Sequence, residues 1–135
     1  SAFVPLIYQL IYDSKDSFGK LKTVLTVHSV DEFCNFSWSA YDKVGVTLPQ
    51  TIKGDTATCY DAAAPYADLI VAVDSPSNDV TSKLLELPGI QAHKKKIVSI
   101  SIDDDESPNF KATADALNEE LMEHFAWFIV AILPK

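Results

Sequence analysis

The sequence predicts a single α/β domain of 135 residues, built as a three-layer α/β/α sandwich around a five-stranded, mostly parallel sheet. Apolar runs rich in β-branched residues alternate along the chain with segments of helical periodicity. One of these runs, residues 68–74, is apolar throughout its interior, which is typical of a parallel strand buried on both faces. Hydrophobic residues make up 47% and charged residues 22%, a globular composition that excludes a disordered or collagen-like chain.

In the first third of the chain, two predicted strands flank a helix. Residues 4–12 are rich in β-branched and aromatic side chains and stop at a polar segment, which predicts strand 1. Apolar side chains recur at helical spacing over residues 17–28, with a polar cap at the start. Residues 29–41 carry four aromatic side chains in a helical or irregular stretch. Residues 44–48 predict strand 2, closed by a proline.

The middle of the chain continues the alternation. A helix is predicted over residues 55–67, capped by its first polar residues. The apolar run 68–74 is strand 3, and the polar residues 75–79 form a turn. A short helix follows over residues 80–87, ended by the Pro-Gly pair after it. The β-branched run 97–102 is strand 4.

The last third begins with an acidic loop over residues 103–108. Residues 109–124 place their apolar side chains on one helical face, and residues 128–133 predict strand 5, with a continued helix as the alternative. Five strands with intervening helices favour the flavodoxin-like strand order 2-1-3-4-5. Ligands of such sheets bind at the carboxyl ends of the strands, next to the loops that follow strands 1 to 4.

Charge and cysteine content exclude several classes of function. All eleven basic residues are lysines, set against 19 acidic residues, so the net charge is −8 and nucleic acid would be repelled. The apolar run 125–133 is too short to span a membrane, and no signal-peptide pattern opens the chain, so we expect a cytoplasmic protein. Cys34 and Cys59 lack metal-ligand spacing; we expect buried thiols, and a disulfide between them stays open.

Three carboxylates follow strands that are neighbours in the expected order. Asp13 and Asp16 come after strand 1, and Asp74 ends strand 3. We expect these side chains to converge, and oxygen ligands of this kind hold Mg²⁺. An aspartate beside the ion could also accept a phosphoryl group. Alternatively, the Asp74 carboxylate caps the turn or helix that follows it.

The stretch of residues 61–74, followed by Pro76, resembles the middle of a response-regulator receiver domain. The resemblance implies a Mg²⁺-dependent phosphoacceptor at Asp74, with Asp13 as a metal carboxylate. It also implies a hydroxyl from Ser101 beside the site. The acidic pair that closes strand 1 in that family is reduced here to Asp13 followed by Ser14.

A second resemblance covers a similar span. Residues 53–56 and 67–76 are similar to the core of TIR domains, and residues 12–16 look like their first-strand loop. Enzymatic members of that family cleave the nicotinamide–ribose bond of NAD with a glutamate, and the resemblance implies Glu86 for this role. A carboxylate suits this chemistry because it stabilises an oxocarbenium-like centre.

Flavodoxins share the expected fold and hold the FMN phosphate in a loop after strand 1. Ser14, Ser17 and Gly19 offer hydroxyls and a glycine in that loop. The carboxylates of Asp13 and Asp16 would repel the phosphate, and the chain has no arginine to offset them. FMN binding is therefore the weakest of the three alternatives.

Both signalling resemblances lack part of the catalytic residue set, while the apolar framework is intact. We therefore expect a receiver-like or TIR-like signalling module that acts by protein–protein contact, with a degenerate active site. Its partner would be another protein or a second copy of the chain, and Mg²⁺ is the candidate cofactor. This role predicts an exposed apolar patch, formed by Phe36, Trp38 or residues 125–133.

Overall fold

A computed structural model describes residues 2–12, 22–103 and 110–132 of the chain. The helices are α1 (Val4–Tyr12), α2 (Trp38–Lys43), α3 (Cys59–Ala63), α4 (Val80–Leu85), α5 (Pro88–Gln91) and α6 (Phe110–Ile132). The strands are β1 (Val24–Val27), β2 (Asn35–Ser37), β3 (Thr56–Thr58), β4 (Leu69–Asp74) and β5 (Ile97–Ser101). Short 3-10 turns precede β2 at Glu32–Cys34 and β5 at Lys94–Lys96. No helix in these described ranges is both long and apolar enough to cross a membrane.

The main sheet has three parallel strands in the order β1-β4-β5. The central strand β4 is buried along its length except at Asp74, which ends it. Its continuous run of apolar, mostly β-branched side chains forms the centre of the sheet because both of its faces are covered by helices. The α/β class is therefore confirmed, and so are the two strands predicted over 68–74 and 97–102.

Helices cover both faces of this sheet. On one face, side chains of β1 and β4 pack with α3, α4 and α5 in a cluster that includes Ile70, Leu84 and Ile90. On the other face, alternate residues of β4 and β5 pack against α6 in a cluster that includes Val71 and Leu121. The alternation follows from the two-residue period of a strand, which sends successive side chains to opposite faces.

A second, antiparallel sheet contains β2 and β3 and lies beside a smaller apolar cluster. Leu6 of α1 and Tyr41 of α2 are the largest buried side chains of this cluster. The Tyr41 hydroxyl donates a hydrogen bond of 2.9 Å to the backbone oxygen of Ala57 in β3. This bond ties α2 to the antiparallel pair.

A buried carboxylate joins α3 to α5. Asp61 is only 2% exposed, and its side chain accepts hydrogen bonds from the backbone and hydroxyl of Thr58, which caps α3. Its other oxygen accepts a 2.7 Å hydrogen bond from the backbone N–H of Gly89. A Cβ at position 89 would lie 2.7 Å from that same oxygen, so only glycine fits this close approach.

The strand predicted over residues 4–12 is wrong: the segment is α1. Leu6 is buried, whereas Val4 and Ile7 are exposed, which is not the alternation of a strand. Pro5 lies in the first turn of the helix, where its missing N–H costs nothing. The β-branched composition misled the prediction, because local propensity is weaker than the packing of α1 against α3.

The helix predicted over 17–28 and the strand over 44–48 are also corrected. Residues 17–21 lie outside the described residues, and the rest of the first segment contains β1, which pairs with β4. Residues 44–48 form the end of α2 and a loop. Gly45 has φ +73°, and the backbone N–H groups of Gly45 and Val46 bond back to Asp42 and Tyr41. This is a Schellman C-cap, which ends the helix with a left-handed glycine.

Three further boundaries differ from prediction. The helix expected over 55–67 is instead β3 followed by α3, because Thr58 is the N-cap and not an interior residue. The Pro-Gly pair at 88–89 begins α5 instead of ending α4, and proline is well suited to a first helical turn. The segment predicted as strand 5 continues α6 as far as Ile132 and is therefore helical over its described residues, 128–132. The described strands therefore form a three-stranded parallel sheet and a separate pair, not the expected sheet of five.

Candidate functional site

An open cleft of about 390 Å³ lies at the carboxyl ends of β4 and β5. It is lined by Asp74, Ser75, Pro76, Ser101, Ile102, Asp103 and Ala112. Asp74 and Ser101 are the last residues of their strands and lie directly opposite one another in the parallel ladder. The cleft is thus at the edge where open α/β sheets bind ligands, as the sequence predicted for the loop after residue 74.

The Asp74 carboxylate is fully engaged within the protein. One oxygen accepts a 2.8 Å hydrogen bond from the backbone N–H of Thr81, in the first turn of α4. The other accepts hydrogen bonds from the Thr81 hydroxyl at 2.6 Å and from the Ser99 hydroxyl at 2.7 Å. The side chain therefore ties the start of α4 to strands β4 and β5.

These bonds also set the charge of Asp74. Partial burial acts to raise its pKa, but the hydrogen bonds from Thr81 and Ser99 stabilise the ionised form and outweigh burial. The net result is a pKa below the ordinary value of a carboxyl group. Asp74 is consequently ionised at neutral pH.

The loop between β4 and α4 is held at both ends. Ser75 and Asn78 form an isolated antiparallel bridge with backbone hydrogen bonds of 3.1 and 3.0 Å. The Asn78 side chain donates to the backbone oxygen of His28, just after β1, and accepts from Lys83 of α4. This loop therefore fixes the ends of two neighbouring strands and forms one wall of the cleft.

Asp79 is a second capping carboxylate at the start of α4, which sequence analysis placed in the turn without a role. Its side chain accepts hydrogen bonds from the backbone N–H and hydroxyl of Ser82 at 2.9 and 2.7 Å. These bonds lower the pKa of Asp79. The signal in the sequence is an aspartate directly before the apolar helical positions, a common N-cap pattern.

The loop after predicted strand 1 lies outside the described residues. Asp13, Asp16, Ser14, Ser17 and Gly19 all belong to it. The convergence of Asp13 and Asp16 on Asp74 and the phosphate loop therefore stay predictions. Within the described ranges, no group of three or more histidine, cysteine or acidic side chains is placed to hold a metal ion.

Glu86 lies at the other end of α4 from Asp74. It is the C-cap residue of that helix and is exposed to solvent. Glu86 is five residue steps beyond Thr81, a rise of about 8 Å at 1.5 Å per residue. The structure therefore does not bring Glu86 into the cleft that Asp74 lines, and its role in NAD cleavage stays a prediction.

Several large apolar side chains are exposed around β2 and α1. Phe33 is 83% exposed, and Phe36, three residues further along, is 40% exposed. The ring of Phe36 contacts that of Phe3 in an edge-on geometry with 5.9 Å between centroids, which places α1 beside β2. Val4 and Ile7 of α1 are also exposed. We call Phe33, Phe36, Val4 and Ile7 the apolar surface.

Of the residues that the sequence proposed for such a patch, Phe36 is exposed, as predicted. Trp38 is half-buried and packs against the cluster around Tyr41, although its indole N–H has no hydrogen-bond partner. Phe125 is half-buried on the sheet, and the side chains beyond it are outside the described set. Sequence analysis missed Phe33, which directly follows the acidic residues Asp31 and Glu32.

No family model matches this chain, and no curated protein or solved structure is significantly similar to it. The resemblances to receiver and TIR domains therefore rest on the residues quoted above.

Proposed function

We propose that this chain is a receiver-like or TIR-like signalling module that acts mainly by binding another protein through its apolar surface. The observation that carries this proposal is the exposure of Phe33. A phenylalanine that is 83% exposed loses the benefit of burial, and contiguous exposed apolar groups mark interaction sites. Aromatic side chains supply much of the binding energy in protein interfaces.

The backbone that carries Phe33 is held in place. Asp31 caps the 3-10 turn and accepts a 3.0 Å hydrogen bond from the N–H of Phe33. The N–H of Cys34 bonds to the Asp31 backbone oxygen at 3.1 Å. A partner that covers the ring therefore has little backbone entropy to remove, which favours binding.

The chemistry around the apolar surface favours a different protein over a second copy. Asp31 and Glu32 directly precede Phe33 and are exposed, and the chain carries a net charge of −8. Two copies meeting at this surface would place like charges together, which opposes association. The partner we propose presents an apolar surface bordered by lysine or arginine side chains.

The state of the cleft agrees with a binding role. A phosphoacceptor must present an oxygen to the phosphoryl donor, whereas both oxygens of Asp74 already accept hydrogen bonds. Glu86 is exposed at the far end of α4. This arrangement supports a degenerate active site.

The test compares Phe33→Glu with Met122→Glu as a matched control. Met122 is also exposed, at 54%, but lies on α6 away from the apolar surface. Proteins that the wild type retains from a cell extract would be identified and purified, and their binding measured with both variants. We expect at least a tenfold weaker affinity for Phe33→Glu only, and a weaker interaction at higher salt. Equal affinity of the two variants would contradict the proposal. If sedimentation shows that the wild type is a dimer and that Phe33→Glu is a monomer, the apolar surface binds a second copy of the chain instead.

A second candidate function is the Mg²⁺-dependent phosphoacceptor. One observation favours it: Asp74 and Ser101 lie opposite each other and line the same cleft, as the receiver resemblance implies. The test is a thermal shift with Mg²⁺ and beryllium fluoride, alongside NAD and FMN. A rise in melting temperature with beryllium fluoride that Asp74→Asn abolishes would establish this function. No shift with any of these ligands is the result expected of the binding module.

A further inference from the structure

The two cysteines lie together at one end of the antiparallel pair. Asn35 of β2 is paired with Thr58 of β3; Cys34 ends the 3-10 turn directly before Asn35, and Cys59 begins α3 directly after Thr58. Cys34 also packs against the buried cluster that contains Cys59. Residues that are paired in the way of Asn35 and Thr58 have Cα atoms about 4.5–5.5 Å apart, so the chains enter the two cysteines at a separation close to the range of about 4.4–6.8 Å that a disulfide requires.

The surroundings of the two thiols differ. Cys34 is partly exposed, and its Sγ lies 3.6 Å from a carboxylate oxygen of Asp31 and 3.7 Å from the hydroxyl oxygen of Tyr60. Tyr60 in turn donates to the backbone oxygen of Ser29 at 2.9 Å. Cys59 is buried at the first position of α3. Reagents can therefore reach Cys34 first.

We propose that Cys34 and Cys59 are a redox pair that forms a reversible disulfide, with Cys34 as the attacking thiol and Cys59 as the resolving thiol. In support, burial and the nearby Cys34 thiol raise the pKa of Cys59 to about 11. A thiol this weakly acidic reacts slowly with external reagents, so it is suited to resolving a bond formed at its neighbour. The pair is independent of the proposed binding role, since its chemistry needs no protein partner.

The reaction needs a small-molecule disulfide, such as glutathione disulfide, as the oxidant. The Cys34 thiolate attacks one sulfur of the oxidant, whose S–S bond breaks and releases one small thiol. Cys59 then loses its proton to solvent and attacks the sulfur of Cys34, releasing the second small thiol. Two protein thiols are oxidised to one disulfide by two electrons, and the oxidant is reduced to two thiols.

The experiment incubates the full chain in glutathione redox buffers and identifies the products by mass spectrometry after acid quenching. We expect a monomer that is two hydrogens lighter and yields linked peptides containing Cys34 and Cys59. The oxidised-to-reduced ratio needed for half-conversion should be at least tenfold lower for the folded protein than in urea, because the fold holds the two thiols together.

Two variants assign the order of attack. Cys59→Ala, a small apolar substitution at a helical position, should stop at a glutathione adduct on Cys34. Cys34→Ser should leave Cys59 reduced at the same redox ratio. The proposal is overturned if the folded wild type gives only the glutathione adduct or only intermolecular dimers. A redox midpoint that urea does not change would also overturn it. Both results are measured on the wild type, so they do not depend on the folding of a variant.

Discussion

Replacing Asp74 distinguishes a structural carboxylate from a reactive one. The structure gives this side chain three hydrogen bonds, two from Thr81 and one from Ser99, at 2.6–2.8 Å. If the carboxylate serves phosphoryl transfer, its replacement should leave the stability of the fold unchanged or slightly raise it, since functional sites often store strain. A carboxylate that holds α4 against the sheet should be costly to remove.

The magnitude follows from the bonds that are lost. Hydrogen bonds to a charged group contribute about 1.5–3 kcal/mol each when buried. Asp74 is at the carboxyl end of β4, where water can partly replace its carboxylate as a hydrogen-bond acceptor. The loss is therefore smaller than the sum of the three bonds. We expect Asp74→Ala to lower the free energy of unfolding by about 2–4 kcal/mol. Asp74→Asn should lose less, because an amide oxygen still accepts one of the bonds.

Urea unfolding, followed by circular dichroism and tryptophan fluorescence together, measures this difference. Asp79→Ala is the matched control, because Asp79 also caps α4 but is exposed. We expect a smaller loss for Asp79→Ala than for Asp74→Ala, with similar m-values for the two. An Asp74→Ala variant as stable as the wild type, or a loss no larger than that of the control, would refute the structural role.

The pH dependence provides an independent measurement of the same carboxylate. The pKa of Asp74 is lower in the folded protein than its ordinary value of about 3.9 in an unfolded chain. Its contribution to stability is therefore complete above about pH 5 and is lost as the pH falls through the folded-state pKa. The difference in unfolding free energy between wild type and Asp74→Asn should shrink between about pH 5 and pH 2. A difference that stays constant over this range would mean that the charge of Asp74 does not contribute.

Three further predictions concern the packing of the fold away from the cleft and the oxidation of the two cysteines. Gly89→Ala should lower the free energy of unfolding by more than about 2 kcal/mol, because the new Cβ would lie 2.9 Å from the Cα of Asp61 as well as against its oxygen; a variant that melts within a degree or two of the wild type would show that α5 can move away. Tyr41→Phe should cost about 1 kcal/mol in urea unfolding, because it removes a buried hydrogen bond while keeping the ring; an unchanged midpoint would mean that water replaces the hydroxyl. Oxidation of Cys34 and Cys59 should raise the free energy of unfolding by up to about 3.5 kcal/mol, the chain-entropy value for a closed loop of about 25 residues, and equal melting temperatures of the two redox forms would contradict this.

The sequence was most informative where many neighbouring residues agree. The apolar run of β4 is too short for a buried helix and too continuous for a surface strand, so its burial on both faces could be inferred before the structure was known. The position of Asp74 followed, since it is the first polar residue after that run. The same argument identified β5 and the apolar face of α6.

The errors occur where short segments satisfy two periodicities. Val24 and Leu25 belong to a helical pattern with earlier apolar residues and also to the alternating pattern of β1, in which only Leu25 and Val27 are buried. Pairing with β4, 45 residues further along, decides between them, and no local pattern contains that information. In residues 4–12, Pro5 was the overlooked signal, because proline is unfavourable inside a strand and acceptable in a first helical turn.

The hydrogen-bond partners of these residues could not be predicted from the sequence for a related reason. That Asp74 is followed by a capped helix can be read locally, but its contact with Ser99 depends on the register of β5. The bond from Gly89 to Asp61 spans 28 residues and depends on how α5 docks on α3. Such contacts follow from tertiary packing, which local patterns in the sequence do not reveal.

Four of the 19 acidic side chains have a structural role that bears on the function of the chain. The helices between β3 and β5 have four to six residues, well below the length of about 12–15 residues at which an isolated helix is even marginally stable. Each has a carboxylate that accepts a backbone N–H at or near its start: Asp61 accepts from Thr58, the N-cap of α3, and from Gly89 of α5, and Asp74 and Asp79 accept from the first turn of α4. Asp31 does the same for the turn that carries Phe33. These four carboxylates fix short helices and a turn, and they are therefore not evidence for a cationic substrate. Both oxygens of Asp74 accept hydrogen bonds, whereas Phe33 is a large apolar side chain that the fold holds in place and leaves uncovered. A function based on contact is the one that this distribution of residues favours.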